Sequence, residues 1–125
     1  MFDWEGEYRY AKYTNFNVAP ESDNYRVRFT GYTGNAGGDS LGSNANGRQF
    51  TTYDRDNDHS PNNCAVRLNG DRRGGFWYGN CGQFTANGHY SYTSRVPFYS
   101  GIHWYAWHGG HYSLKAVSMA FRATN

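Results

Sequence analysis

Residues 47 to 67 read GRQFTTYDRDNDHSPNNCAVR. Asp54, Asp56 and Asp58 alternate through a run of polar, turn-forming residues that ends at Cys64. Calcium takes six to eight hard oxygen ligands from carboxylates, carbonyls and water. The stretch is superficially like the start of an EF-hand loop. Counted from Asp54, however, the sixth position is His59 instead of Gly, and the twelfth is Ala65 instead of Glu. No helix signals flank it. The residues alone leave two readings open, a non-EF calcium loop and a solvated acidic turn.

The 125 residues suit one domain. Lys and Arg exceed Asp and Glu by 12 to 10, a formal charge of +2, too mild to call for nucleic acid or an anionic membrane. No apolar run approaches the roughly 20 residues of a membrane span. MFDWEGEYRY, residues 1 to 10, lacks the basic and apolar regions of a signal peptide. That leaves a cytosolic protein, or a segment cut from a longer one and given Met1 for expression.

Val, Ile, Leu and Phe together number only 17, a level usual in disordered proteins. Disorder also needs few aromatics, and here 19% of residues are Phe, Trp or Tyr. Each large ring buries on the order of 150–250 Å², so the expected core is aromatic. The 16 glycines and many Asn, Asp and Ser predict long loops. Two cysteines, Cys64 and Cys81, in such a sequence favour one disulfide and an oxidising compartment over two reduced thiols. No second close Cys pair or matching His pair accompanies them to make a metal site.

YRVRF predicts a strand with Tyr25, Val27 and Phe29 on one face and Arg26 and Arg28 on the other. EYRYAKY, residues 7 to 13, predicts a weaker strand. In HYSLKAVSMAF, Tyr112 and Leu114 share a face, while Val117, Met119 and Phe121 run out of phase. A bulge near Lys115 and Ala116 would reconcile them. Residues 31 to 49 read as loop, with room for a short helix near AGGDSL capped by Asp39 or Ser40.

The stretch 47–67, followed by GGFWYGNC, ANGHY and GIHWYAWHGGHYSLKAVSMAFR, resembles the C-terminal part of a fibrinogen-like domain. The resemblance runs from about Trp4 through YAKYTNF and GYTGNAGGDSL nearly to the end. The C-terminal regions of fibrinogen, ficolins, tachylectins, tenascins and angiopoietins make up that family. It implies an α+β fold: a twisted, mainly antiparallel sheet with short helices and a loop-rich calcium- and ligand-binding subdomain. On this resemblance the sequence is expected to hold the central and calcium-bearing subdomains, without the family's N-terminal subdomain. The expected division is one partial domain over 1–125, with a central sheet subdomain of about 1–50 plus 110–125 and a calcium and ligand subdomain of about 51–109.

The resemblance also implies site residues. Ca2+ would be held by the carboxylates of Asp56 and Asp58 and the carbonyls of Ser60 and Asn62, with Pro61 stiffening the loop and Asp54 outside the ligand set. Cys64 and Cys81 would be bridged. A cis peptide at Asn80–Cys81 would turn N–H groups toward an acetyl oxygen, at a cost of roughly 2.5–4 kcal/mol without proline. The pocket beside the loop would comprise Leu68, Asn80, Cys81, Gly82, Phe98 and Tyr99. Its walls depart from the acetyl-binding pattern: Leu68 and Phe98 stand where tyrosines are usual, Gly82 where histidine is, and Gly110 where some members have tryptophan. NGDRRG adds an insertion between the cysteines. NCG, together with WYAWHGGHYSLKA, looks closer to the angiopoietin-like branch.

The expected function is a secreted, extracellular recognition module with no enzymatic activity. Its first reading is calcium-supported, lectin-like binding of microbial glycans such as peptidoglycan, lipopolysaccharide or chitin in innate immunity, with simple N-acetylated sugars bound poorly. The alternative is a protein-receptor or matrix module of the angiopoietin and tenascin type. The parent protein is expected to be a homo-oligomer. Trp104, Trp107 and Tyr112 could stack on sugars, but core packing is the commoner role of such rings. His103, His108 and His111 lack a spacing that ensures convergence on a metal. Arg72 and Arg73 read as a solvated loop tip, with a phosphate or anionic glycan contact as the sharper reading. Nothing marks a strained nucleophile turn or an oxyanion hole.

Overall fold

A computed structural model of the protein describes residues 1–66 and 73–124. Its regular structure is sparse. In sequence order it comprises β1 (Ala11–Val18), a single 3-10 turn (Glu21–Asp23), β2 (Val27–Gly34), α1 (Gly42–Ala45) and α2 (Tyr105–His108). β1 and β2 form an antiparallel pair running from Ala11 opposite Gly34 to Val18 opposite Val27. Two irregularities break the register, between Lys12 and Thr14 and between Thr14 and Asn17. Gly31 at φ 65° and Asn15 at φ 52° sit at these two breaks, one on each strand. A Cβ at Gly31 would stand 2.3 Å from Thr14 Oγ1, so glycine admits the close approach there.

β2 keeps the alternation read from YRVRF in part. Val27 and Phe29 are buried and Arg28 is exposed. Tyr25 departs from that reading. It lies before the strand at φ 55°, exposed, with its N–H on the carbonyl of Pro20. Asn24, also left-handed, and the Arg26–Asp23 ion pair close this turn, so the backbone enters the strand only at Val27. Likewise β1 begins at Ala11 instead of Glu7. The short helix falls just after AGGDSL. Asp39 still serves its start, with Oδ1 accepting the Gly42 N–H at 2.7 Å.

The C-terminal stretch forms bridges in place of a named strand. Leu114 donates to Ile102 O at 2.7 Å and is fully buried. Lys115 and Ala116 both donate to the carbonyl of Phe2, at 3.0 and 3.3 Å. Two residues against one is the pairing of a bulge, and it falls where the sequence changes phase.

The core is a series of rings. Tyr13, Phe16 and Phe29 pack across the ladder. Phe16 meets Trp77 at 6.4 Å, Trp77 meets Phe76 at 5.5 Å, and Phe76, Phe84 and Trp104 follow at 5.7 and 5.1 Å. Such tilted and edge-on pairs contribute about 0.5–1.5 kcal/mol each beyond area burial. The series leaves the ladder through the exposed Phe16 and half-buried Trp77 and becomes core at Phe76, Phe84 and Trp104, in a region where aliphatic side chains are few.

Candidate functional site: an acidic loop beside an aromatic shelf

The acidic loop leaves the core at Thr51, which pairs with Phe76 through both backbone bonds. Thr52 and Arg55 then exchange N–H···O bonds in a tight turn. Asp54 accepts the Thr52 hydroxyl at 2.7 Å within that turn. Side-chain amides hold the rest. Asn57 Nδ2 donates to Phe50 O, and Asn63 Nδ2 donates to the carbonyls of Thr52 and Tyr53. These residues brace a loop without ladder partners, as short amide side chains do.

Asp56 and Asp58 come together. Asp56 Oδ1 accepts the Asp58 N–H, while Asp58 accepts the N–H groups of Ser60 at 2.9 Å and Cys64 at 2.8 Å. Burial pushes the Asp58 carboxyl up, and the Asp56 charge adds to it. The two N–H groups oppose the rise without cancelling it. Among the described residues, no donor reaches the carbonyl of Ser60 or of Asn62. Two neighbouring carboxylates and two unengaged carbonyls are hard oxygen donors, so the residues present fit a calcium ion in kind.

Cys64 and Cys81 are disulfide-bonded, with Cα atoms 5.1 Å apart and a separation of 17 in sequence. The bridge ties the end of the acidic loop to the segment before the shelf. A second tie runs from the His59 N–H to Gly79 O at 2.9 Å. Gly79 is itself pressed against Asn44, where a Cβ would stand 1.8 Å from Oδ1. The Asn80–Cys81 peptide is trans, which corrects the cis geometry expected from the resemblance. The backbone turns instead through left-handed conformations at Cys81 (φ 62°) and Gly82 (φ 88°). The Asn80 N–H is already donated to Asn44 Oδ1 at 3.2 Å. The cis-oriented N–H arrangement implied by the resemblance is absent at this bond.

Of the other expected pocket residues, Leu68 lies outside the described residues, as does Arg72, read from the sequence as part of a loop tip. Phe98 and Tyr99 stack at 4.0 Å, and Tyr99 stacks on His103 at 4.6 Å. His103 is buried behind them, with Nε2 facing Gly82 O at 3.5 Å, so Gly82 joins the back of the shelf. Burial holds the His103 ring below its ordinary pKa. Phe98 remains 54% exposed. Gly110 makes the stack possible: a Cβ there would stand 2.5 Å from ring atoms of both Phe98 and Tyr99. The Asn80 backbone N–H is held by Asn44.

The three histidines do not converge. His103 backs Tyr99, His108 meets Asp3, and His111 meets the carbonyl of Val96. Trp104 is core, with its indole N–H on Gly38 O. His103 as the floor of the shelf escaped the sequence reading. Its only signal was its place between two apolar neighbours in GIHWY.

Comparison with known proteins agrees with the architecture. The family "Fibrinogen beta and gamma chains, C-terminal globular domain" matches residues 1–124. Human angiopoietin-related protein 7 is 42% identical over 123 residues, covering 98% of this chain and 34% of the relative. The fibrinogen-like globe domain of human ANGPTL2 superposes with a TM-score of 0.82 at 40% identity, over 92% of this chain and 51% of that one. Lamprey fibrin D-dimer, solved with the peptide Gly-His-Arg-Pro-amide, gives 0.77 at 34% identity, over 91% of this chain and 40% of that one. This chain thus spans about a third of that curated relative and about half of the ANGPTL2 globe. It belongs to the fibrinogen C-terminal domain family.

Proposed function

We propose that the protein is an extracellular recognition module of the angiopoietin-related type, which binds a protein ligand on the Phe98–Tyr99 shelf. The observation that carries this is the shelf itself: an exposed ring stacked on a second ring and backed by a buried histidine. Rigid aromatic anchors of this kind dominate protein interfaces. The glycan reading loses support at the trans Asn80–Cys81 bond. The identity to human angiopoietin-related protein 7 points the same way, and lamprey fibrin, a structural relative, takes a peptide. The disulfide suits an oxidising compartment. Among the described residues, no helix is long and apolar enough to cross a membrane.

In this reading calcium is structural. The carboxylates of Asp56 and Asp58 and the carbonyls of Ser60 and Asn62 would hold one ion, which would offset the carboxylate repulsion and brace the loop. Residues 51–109 act as the ligand-binding subdomain on a sheet subdomain of 1–50 plus 110–125. The module binds and does not catalyse. An oligomeric parent would gain avidity by about 10² to 10⁴ through linked sites.

An array of cell-surface ectodomains beside peptidoglycan, lipopolysaccharide and chitin tests the reading, with the protein displayed as monomer and as forced trimer. Calcium-dependent capture of one ectodomain, with no glycan binding, is the expected result. Binding to a glycan that N-acetylglucosamine competes, with every ectodomain silent, would restore the lectin reading.

A further inference from the structure

Away from the acidic loop, the N-terminal segment and α2 bring Asp3, Glu5 and His108 together. Their ligating atoms all lie within 4.8 Å of one another. Asp3 is 2% exposed. Its Oδ1 accepts the N–H groups of Glu5 at 3.0 Å and Glu7 at 2.8 Å, which leaves Oδ2 directed at His108 Nε2, 3.1 Å away. Glu5 is steadied from the other side. Its Oε2 accepts the Tyr112 hydroxyl at 2.6 Å, and that hydroxyl oxygen in turn accepts the Trp4 N–H. The His108 ring is clamped by stacking on Tyr112 at 4.0 Å and on Trp107 at 4.6 Å.

We propose that Asp3, Glu5 and His108 form a zinc-binding site, separate from the calcium loop. The donor set is one imidazole nitrogen and two carboxylate oxygens, which suits zinc; calcium and magnesium prefer oxygen throughout. Zinc bonds of about 2.0–2.1 Å in a tetrahedron place neighbouring ligands roughly 3.3 Å apart. The 3.1 Å between Asp3 Oδ2 and His108 Nε2 is close to that bite. Neutral imidazole and two carboxylates balance the dication's charge. His108 and Tyr112 also line an open cavity of about 480 Å³, with Ser94, Arg95 and His111, from which water can supply a fourth ligand. Asp3 and Glu5 each have outer hydrogen-bond partners that fix them, the arrangement on which metal affinity depends, and His108 is held by its ring stacks. The competing occupant is a proton on His108, which would make a plain ion pair with Asp3.

The test is calorimetric titration of tag-free, chelator-treated protein with Zn²⁺, in saturating calcium so that the acidic loop is filled. One equivalent should bind, and Co²⁺ in its place should give the visible bands of a tetrahedral site. His108→Gln should abolish the binding. Glu5→Gln and Tyr112→Phe should weaken it by about 10- to 100-fold. The Asp56→Ala, Asp58→Ala double variant should bind zinc as the unaltered protein does. Near-UV circular dichroism checks folding, and the exposed Glu5 keeps the test decisive if His108→Gln does not fold. No zinc uptake, uptake unchanged in both Glu5→Gln and His108→Gln, or uptake that follows Asp56 and Asp58 would overturn the site.

Discussion

The β1–β2 ladder and the acidic loop are held by different means. In the ladder, backbone pairs mainly with backbone, and side-chain bonds such as that of Asn46 to Phe29 only supplement it. In the loop, Asn57 and Asn63 side chains take over the role of ladder partners, and a disulfide closes the segment. Residues 73–114 have isolated bridges and one short helix, yet Phe76, Phe84, Trp104 and Leu114 there are as buried as Val27 and Phe29. Packing density therefore does not track regular structure in this protein. A region poor in strands and helices is fixed by rings, amide side chains and one covalent bond, and that freedom from ladder geometry lets it present a shaped surface.

Breaking each region at its anchor separates the two. Phe29→Ala removes the ring that Tyr13 and Phe16 pack against, and should cost about 3–5 kcal/mol in urea unfolding. Cys64→Ser with Cys81→Ser releases a 17-residue closure and should cost about 3 kcal/mol. Hydrogen exchange should sharpen the contrast. Loss of the disulfide should expose amides of Ser60, Cys64 and Ala65 first, whereas Phe29→Ala should expose those of β1 and β2.

Calcium should act through the acidic loop. At about 100 times its Kd, it should raise the unfolding free energy by about 2.7 kcal/mol. The Asp56→Ala, Asp58→Ala double variant should lose that gain, which chemical melts with and without chelator will read. Gly110→Ala forces a Cβ into the Phe98–Tyr99 stack and should cost about 1–3 kcal/mol while leaving the ladder's exchange rates unchanged. The smallest effect is one of pH. His103 has its folded pKa lowered by burial, so its neutral form belongs to the folded state. The unfolded protein then binds the extra proton first. That share of stability is full above the unfolded value of 6.5 and declines as pH falls below it. Denaturant melts at pH 7.5 and 5.5 should differ less in His103→Gln than in the unaltered protein.

Much of this was legible in the sequence, for physical reasons that differ by residue. The alternation of Val27 and Phe29 is a local signal, and so is the phase change at Lys115 and Ala116 that becomes the bulge on Phe2. The resemblance paired Asp56 with Asp58, and their side chains are in contact here. Tyr25 misled, because the left-handed turn at Asn24 and Tyr25 is set by hydrogen bonds back to Pro20 and Glu21, and alternation does not record it. The trans bond at Asn80–Cys81 departs from the family pattern, and the left-handed turn at Cys81 and Gly82 that replaces the cis geometry leaves no mark in the local sequence. His103 and the Asp3–His108 contact join residues from separate segments, and no local pattern could pair them.

The central claim is that the Phe98–Tyr99 shelf binds a protein. It is tested most directly by Phe98→Ala, an exposed position whose loss should leave stability nearly unchanged. Binding of the unaltered and altered proteins to the captured ectodomain should be compared by surface plasmon resonance in calcium and in chelator. The account predicts that Phe98→Ala weakens binding by at least about tenfold, the mark of an interface anchor, and that chelator weakens it in the unaltered protein. Equal affinity for both, with chitin or peptidoglycan held by each and released by N-acetylglucosamine, would contradict it.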